Sequence, residues 1–242
     1  MSYRLGCILL AGGQSARFGG NKLVSVHPVS NKPLVAHSAQ QLVELPSVTN
    51  SHATLATHTD AIHYLPQSVV VTGKWDLSVR EALAHVPVSL VTNSLWQEGI
   101  ASSIREGVKH LLGNASPRLE AGKVNPSHIL ITLADLPRLT AHDLANLVAA
   151  SCANPTHLVC SEWCDDGSGN SAFKAKPETK TKLTVPAIFP ATAFKALLAL
   201  TGDVGAKPVI KDYEKEGKVT AVSIPNAQFD IDTPQDWTPL AD

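Results

Sequence analysis

The stretch Leu10-Ala11-Gly12-Gly13-Gln14-Ser15-Ala16-Arg17-Phe18-Gly19-Gly20-Asn21-Lys22 closes a strand-length apolar run, Cys7–Ala11. Its glycines let the backbone turn sharply and aim several N–H groups at one point. With Ser15 they make an anion-binding concavity. Arg17 and Lys22 add the two cations that a triphosphate requires. The spacing is neither G-x-x-x-x-G-K-[ST] nor G-x-G-x-x-G, so this is not a Walker loop or a dinucleotide fingerprint. Glycines alone would also suit a plain strand exit with two solvated cations.

Outward from this stretch, apolar runs of strand length alternate with segments of helical period. Cys7–Ala11, Ser68–Thr72, Val88–Val91, His128–Leu133, Thr156–Ser161 and Val219–Ile224 read as strands. Several lack polar alternation, as parallel strands buried on both faces do. Ile100, Ile104, Val108, Leu111 and Leu112 share one face of a helix. Thr140 with Asp143 makes a capping-box-like start for a helix carrying Leu144, Leu147 and Val148, and Phe194, Leu197 and Leu198 mark another. This alternation predicts an α/β domain with a mostly parallel sheet, and no composition shift divides residues 1–242, so a single domain is expected. Polar stretches at 113–127 and 164–184 read as insertions or long loops.

Composition narrows the class. The chain has 242 residues, 44% of them hydrophobic and 17% charged, which suits a sizeable core rather than general disorder. Twenty Lys and Arg against 21 Asp and Glu leave a net charge of −1, with no basic excess for nucleic acid or an anionic membrane. The longest apolar runs fall far short of the roughly 20 residues that span a bilayer. The first apolar stretch is too short for a secretory leader, so a cytoplasmic protein is expected. Four cysteines fit no disulfide framework, and Trp75, Trp163 and Trp237 read as packing residues.

Three further segments carry chemistry. Asp135, in Leu133-Ala134-Asp135-Leu136-Pro137, follows an apolar strand, where α/β proteins bind ligands; an Asp opening a turn before Pro is the plainer alternative. Asp230 and Asp232, at i and i+2 in Phe229-Asp230-Ile231-Asp232-Thr233-Pro234-Gln235-Asp236-Trp237, point to the same side of an extended segment. Mg²⁺ on a nucleotide typically takes one or two carboxylates plus phosphate oxygens. Thr233 and Pro234 also suit a helix start. The run from Asn93 to Gly107 enters the helix through Gly99, Ser102 and Ser103, where open N–H groups could meet substrate anions.

These strings resemble the signatures of one family. The first is similar to L-A-(A/G)-G-x-S-x-R-(M/F)-G-x-x-K of nucleotidyltransferases with a Rossmann-like fold, among them the molybdenum-cofactor nucleotidyltransferases. Asn93–Gly107 resembles N-x-x-W-x-x-G-x-x-S-S-(L/I)-x-x-G of their cytidylyltransferase branch. Val185–Phe189 and Thr201–Lys207 resemble two more elements of that branch, V-P-(A/V)-L-F and S-G-D-x-G-A-(R/K). The resemblance implies transfer of NMP from CTP, or from GTP, to the phosphate of molybdopterin, with release of pyrophosphate. It implies a Rossmann-like three-layer fold, with Lys22, Arg17 and Asp135 as catalytic residues. Leu10, Ala11, Gly12, Gly13, Ser15, Arg17, Lys22, Asn93, Gly99, Ser102 and Ser103 would bind nucleotide or shape the adjoining pocket. Mg²⁺, with Mn²⁺ as the alternative, would be held by Asp135 with Asp230 or Asp232, and a molybdoenzyme apo-protein would be a partner. Two rivals remain: another phosphate acceptor such as a sugar phosphate, and a non-catalytic protein that binds molybdopterin. Three features depart from the pattern. Gly12 is typical of the guanylyltransferase branch, Gln235 replaces the usual Glu, and the 164–184 stretch is long.

Overall fold

The computed structural model describes residues 3–52, 62–113, 125–165 and 180–240. Strands β1 (Arg4–Ala11), β2 (His63–Tyr64), β3 (Val69–Thr72), β4 (Ser89–Thr92), β5 (His128–Leu133), β6 (Leu158–Asp165), β7 (Lys180–Pro190) and β8 (Val219–Ser223) form one eight-stranded sheet. Its order is β4-β3-β1-β5-β7-β6-β8, with β2 beside the start of β1. Only β7 opposes the others, pairing antiparallel with β5 and β6. Chain direction across the sheet changes sides at β1: β3 and β4 lie on one flank, β5 on the other. The crevice above the C-terminal ends of β1, β3 and β5 is therefore the topological switch point, where open α/β sheets bind ligands.

Helices α1 (Leu34–His52) and α4 (Ala141–Ala153) cover one face, and α3 (Ile100–Leu111), α5 (Phe194–Leu198) and α6 (Lys207–Lys215) the other. Strand alternation sets this up. Leu5, Cys7 and Leu9 pack with Leu42, Leu45, Leu144 and Leu147 on the first face. Ile8 and Leu10 pack with Ile104, Val108, Phe194 and Val209 on the second. Each such Leu, Ile, Val or Phe side chain contributes about 1.5–3 kcal/mol through burial. Helix α2 (Asp76–Ala82) is short and sits at the end of β3. Among the described residues no helix is long and apolar enough to cross a membrane.

The expected strands are all present, shifted by a few residues at their ends. The sequence reading missed β2, β7, α1, α2 and α6. The 164–184 stretch is not a loop at its ends: Cys164 and Asp165 close β6, and Lys180–Thr184 open β7, paired Cys164 to Thr181 and Asp165 to Lys180. The rest of the expected insertion, 166–179, lies outside the described residues, as do 114–124 of the 113–127 stretch. Cys7, Cys152 and Cys160 are free thiols.

The expected start of α4 is a full capping box. The Asp143 N–H donates to Thr140 Oγ1 at 3.2 Å, and the Thr140 N–H donates to Asp143 Oδ2 at 2.9 Å. Asn226 also donates to Asp143 Oδ2, at 3.0 Å, which ties this helix end to the segment leading to Asp230. Thr140→Ala should cost about 1 kcal/mol and lower Tm by roughly 2–4 °C, measured by thermal unfolding. An unchanged melting curve would show that the box carries no stability.

Candidate active site

The Gly12–Lys22 loop leaves β1 through residues that line a two-lobed cleft of about 580 and 320 Å³. The larger lobe runs along Gly12, Gly13, Trp96, Gly99 and Ser103, with Asp230 in its wall. The smaller holds Ala11, Ser15, Arg17 and Lys22, and Leu10, Asp135 and Asp232 border both. Ser15 is left-handed at φ 55°, and its Oγ is buried without a hydrogen-bond partner.

Lys22, only 9% exposed, begins a one-turn 3-10 helix, Lys22–Val24, whose N-cap Asn21 accepts from the Leu23 N–H at 3.1 Å. From there its Nζ reaches Asp135 Oδ2 at 2.8 Å and Asp232 Oδ1 at 3.3 Å. Arg17 closes the group, with its guanidinium 2.7 Å from Asp232 Oδ2. Desolvation disfavours the Lys22 ammonium, but Asp135 and Asp232 outweigh it and hold its pKa above the ordinary lysine value. Partial desolvation, with Asp232 and Asp135 nearby, pushes the Asp230 carboxyl up.

Asp135 sits in the turn after β5. Its carbonyl accepts from the Ile231 N–H at 3.0 Å, which brings the C-terminal segment alongside, and Ile231 itself is buried. Asp230 and Asp232 both line the cleft from that segment. Asp236 accepts from the N–H groups of Asp232 and Thr233 at 2.8 and 2.6 Å, capping the 3-10 helix Pro234–Leu240.

The residues fit a divalent cation only in part. Asp135 Oδ1 is buried with no partner, an acceptor suited to a hard cation. Yet among the described residues no three His, Cys, Asp or Glu side chains converge on a metal-sized point. Two carboxylates with phosphate oxygens completing the shell is the arrangement these residues can offer.

The α3 entrance differs from expectation. Its N–H groups are taken: Ile100 donates to Asp203 Oδ1 at 3.2 Å, Ala101 to the Gly202 carbonyl and Ser102 to the Gly99 carbonyl. Asn93, fully buried, donates to Ser102 Oγ at 2.7 Å and Ser103 Oγ at 3.0 Å, and its Oδ1 accepts from the Leu95 N–H. Asn93 and Ser102 therefore brace the β4–α3 turn rather than face the cleft. Gly99, at φ 114°, lies so near the 202–203 backbone that a Cβ would fall 2.6 Å from the Gly202 oxygen. A local sequence window could not show this, because Asp203 lies about a hundred residues away.

Nothing in the sequence marks Asn21 or the Gly73 turn; Trp75 packs against the core as expected, and its Nε1 also donates to the Gln14 carbonyl at 3.2 Å. Gly12 and Gly73 touch backbone to backbone: a Cβ on Gly73 would sit 2.4 Å from the Gly12 oxygen.

The model of the MobA-like NTP transferase domain matches residues 7–218. No curated protein sequence matches the chain. A nucleotidyl transferase from Methanothermobacter thermautotrophicus shares 15% identity at a TM-score of 0.65, over 98% of this chain and 96% of that one. Rv0371c of Mycobacterium tuberculosis, in complex with manganese, shares 20% at 0.57, over 99% and 98%. The 4-diphosphocytidyl-2C-methyl-D-erythritol synthase of Anaerococcus prevotii shares 13% at 0.61, over 99% and 95%. At these identities the three likenesses show the fold.

A Cβ on Gly12 would lie 2.6 Å from Ser103 Oγ, which is buried and held by Asn93. Gly12→Ala should therefore destabilise by about 1–3 kcal/mol, as overpacking does. With Ser103→Ala the obstructing atom is gone, and the pair should couple favourably in a double-mutant cycle read by denaturant unfolding. Additive losses would show that Gly12 is not a packing requirement.

Proposed function

This chain belongs to the MobA-like NTP transferase family, and from that premise we propose that it is a nucleotidyltransferase that moves CMP from CTP to the phosphate of molybdopterin. The observation that carries the reading is the convergence of Lys22, Arg17, Asp135 and Asp232 above β1 and β5, beside a glycine loop with an unsatisfied Ser15 hydroxyl. Cations and a metal-ready carboxylate beside such a loop suit a triphosphate and its divalent ion.

In the proposed reaction a terminal phosphate oxygen of the acceptor attacks the α-phosphorus of the NTP in line. A new P–O bond forms, the bond to the β-phosphate breaks, and pyrophosphate leaves. The chain does little covalent work; it orients the two phosphates and neutralises developing charge. Lys22 and Arg17 offset charge on the departing pyrophosphate. Gly13, Gln14 and Ser15 line the lobe that would take the phosphates. A divalent cation held by Asp135 with Asp230 or Asp232 would supply further charge neutralisation. Mg²⁺ is the proposed ion, and the manganese complex of the Mycobacterium tuberculosis neighbour supports Mn²⁺ as the alternative.

Choice of CTP rests on three segments, Asn93–Gly107, Val185–Phe189 and Thr201–Lys207, against the one departure at Gly12. The space Gly12 leaves is filled by the Ser103 hydroxyl, which weakens the case that its missing Cβ makes room for a purine. Transfer of the finished cofactor to a molybdoenzyme apo-protein would follow.

The test is pyrophosphate release with CTP or GTP, each combined with molybdopterin, a sugar phosphate or no acceptor. CTP with molybdopterin should give the highest kcat/KM, and Asp135→Asn should lower it by roughly 10²–10³. A higher value with GTP would reverse the base assignment, and release with a sugar phosphate alone would replace the acceptor. Molybdopterin binding without release from any NTP would make the chain a binding protein.

A further inference from the structure

The turn that opens α2 holds the Gly12–Lys22 loop at both ends. At the start, Trp75 Nε1 donates to the Gln14 carbonyl at 3.2 Å. At the far end, Asn21 Nδ2 donates to Ser78 Oγ at 2.9 Å, and Ser78 Oγ donates in turn to the Trp75 carbonyl at 3.2 Å. Helix α2 is itself anchored. Asp76 accepts from Thr72, from Thr92 at 2.9 Å and from Arg80 Nε at 2.9 and 3.0 Å, so the turn is fixed to the ends of β3 and β4.

The loop needs such a hold. Ser15 is a non-glycine residue at φ 55° and ψ 40°, a region L-residues populate sparsely, and its buried hydroxyl gains nothing from the protein in return. A trans peptide carries its C=O and N–H on opposite sides. Holding the Gln14 carbonyl on Trp75 therefore turns the Ser15 N–H away from α2, and both residues line the smaller lobe of the cleft. At the other end Asn21 works in both directions. Its amide nitrogen binds Ser78, while its Oδ1 caps the turn from which Lys22 reaches the carboxylates.

We infer that Trp75 and Ser78 are positioning residues that hold this loop in its strained, phosphate-ready shape. The inference rests on the loop being the triphosphate site of a nucleotidyltransferase. Neither side chain needs to touch the nucleotide; both act through Gln14 and Asn21.

Limited trypsin digestion of the full chain without nucleotide, with cleavage after Arg17 scored by mass, tests the hold directly. Calorimetric titration with pyrophosphate tests its consequence. Trp75→Phe keeps a ring and removes the N–H; Ser78→Ala removes the hydroxyl; Ser78→Thr keeps it. In Trp75→Phe and Ser78→Ala, cleavage should quicken and the pyrophosphate Kd should rise, each about 3- to 10-fold, as for loss of one hydrogen bond. The KM for NTP should rise with them while kcat at saturation stays near wild type, and Ser78→Thr should behave as wild type. Cleavage after Arg17 unchanged in both variants would overturn the inference, as would faster cleavage with unchanged pyrophosphate affinity. If the wild-type chain bound no pyrophosphate and turned over no NTP, the nucleotide reading itself would fall, while the cleavage rates would still decide whether α2 holds the loop.

Discussion

A buried ammonium needs opposite charge, and Lys22 finds it only by drawing distant parts of the chain together. Asp135 lies 113 residues further on and Asp232 210 residues further on. One approaches from the exit of β5, the other from the segment after β8. Truncating one member of such a buried group is typically costly, about 3–5 kcal/mol, because the remaining charges are left uncompensated. The β1 loop, the β5 turn and the C-terminal segment are thus bound into one structure by a single side chain. The remaining contacts there serve this meeting: Ser38 on α1 donates to the Ala134 carbonyl at 3.0 Å, and the Ile231 N–H holds the Asp135 carbonyl.

The same group is balanced within itself. Two cations, Lys22 and Arg17, face two carboxylates, Asp135 and Asp232, and the unpartnered Asp135 Oδ1 and Ser15 Oγ lie beside them. Under the proposed function a triphosphate competes with the carboxylates for both cations. Each carboxylate oxygen it releases becomes one that a divalent ion can use. Nucleotide and metal would then favour each other's binding, and by linkage the effect is the same in either direction. That no three metal-binding side chains converge among the described residues fits a site completed by the nucleotide.

Much of this was legible in the sequence. β5 occupies the very residues, His128–Leu133, that an unbroken apolar run marked, and α3 begins and nearly ends where its 3.6-residue pattern does. β7 escaped because its polar first half, through Thr184, has the composition of a loop, and its pairing with β6 lies outside any local window. α1 carries Pro46 inside it, and exposed Leu77 blurs the pattern of α2. At the site, Lys22 stands out by its place at the end of the glycine loop after β1, Asp135 by the exit of an apolar run and Asp232 by its spacing from Asp230, and the structure brings the three together. For Asn93 and Ser102 residue type left ligand contact and pocket shaping equally open, and only the fold shows them bonded to each other.

Gly12 shows how a departure from a family pattern can mislead when read by size alone. A missing Cβ at a strand exit looks like room for a larger base. Here that room already holds the Ser103 hydroxyl, and the Gly12 carbonyl is pressed against Gly73. The glycine is needed because two strand exits and a helix start meet without a side chain between them. A packing requirement of this kind says nothing about hydrogen-bonding edges, and it is those edges that separate cytosine from guanine. Polar groups matched to one base are left unpaired against the other, at about 1–3 kcal/mol for each. Under the proposed function, base choice must therefore come from side chains and backbone groups that remain open to the cleft. Of the four sequence-predicted residues from Asn93 to Ser103, Gly99 and Ser103 line it, while Asn93 and Ser102 spend their hydrogen bonds holding the wall in place.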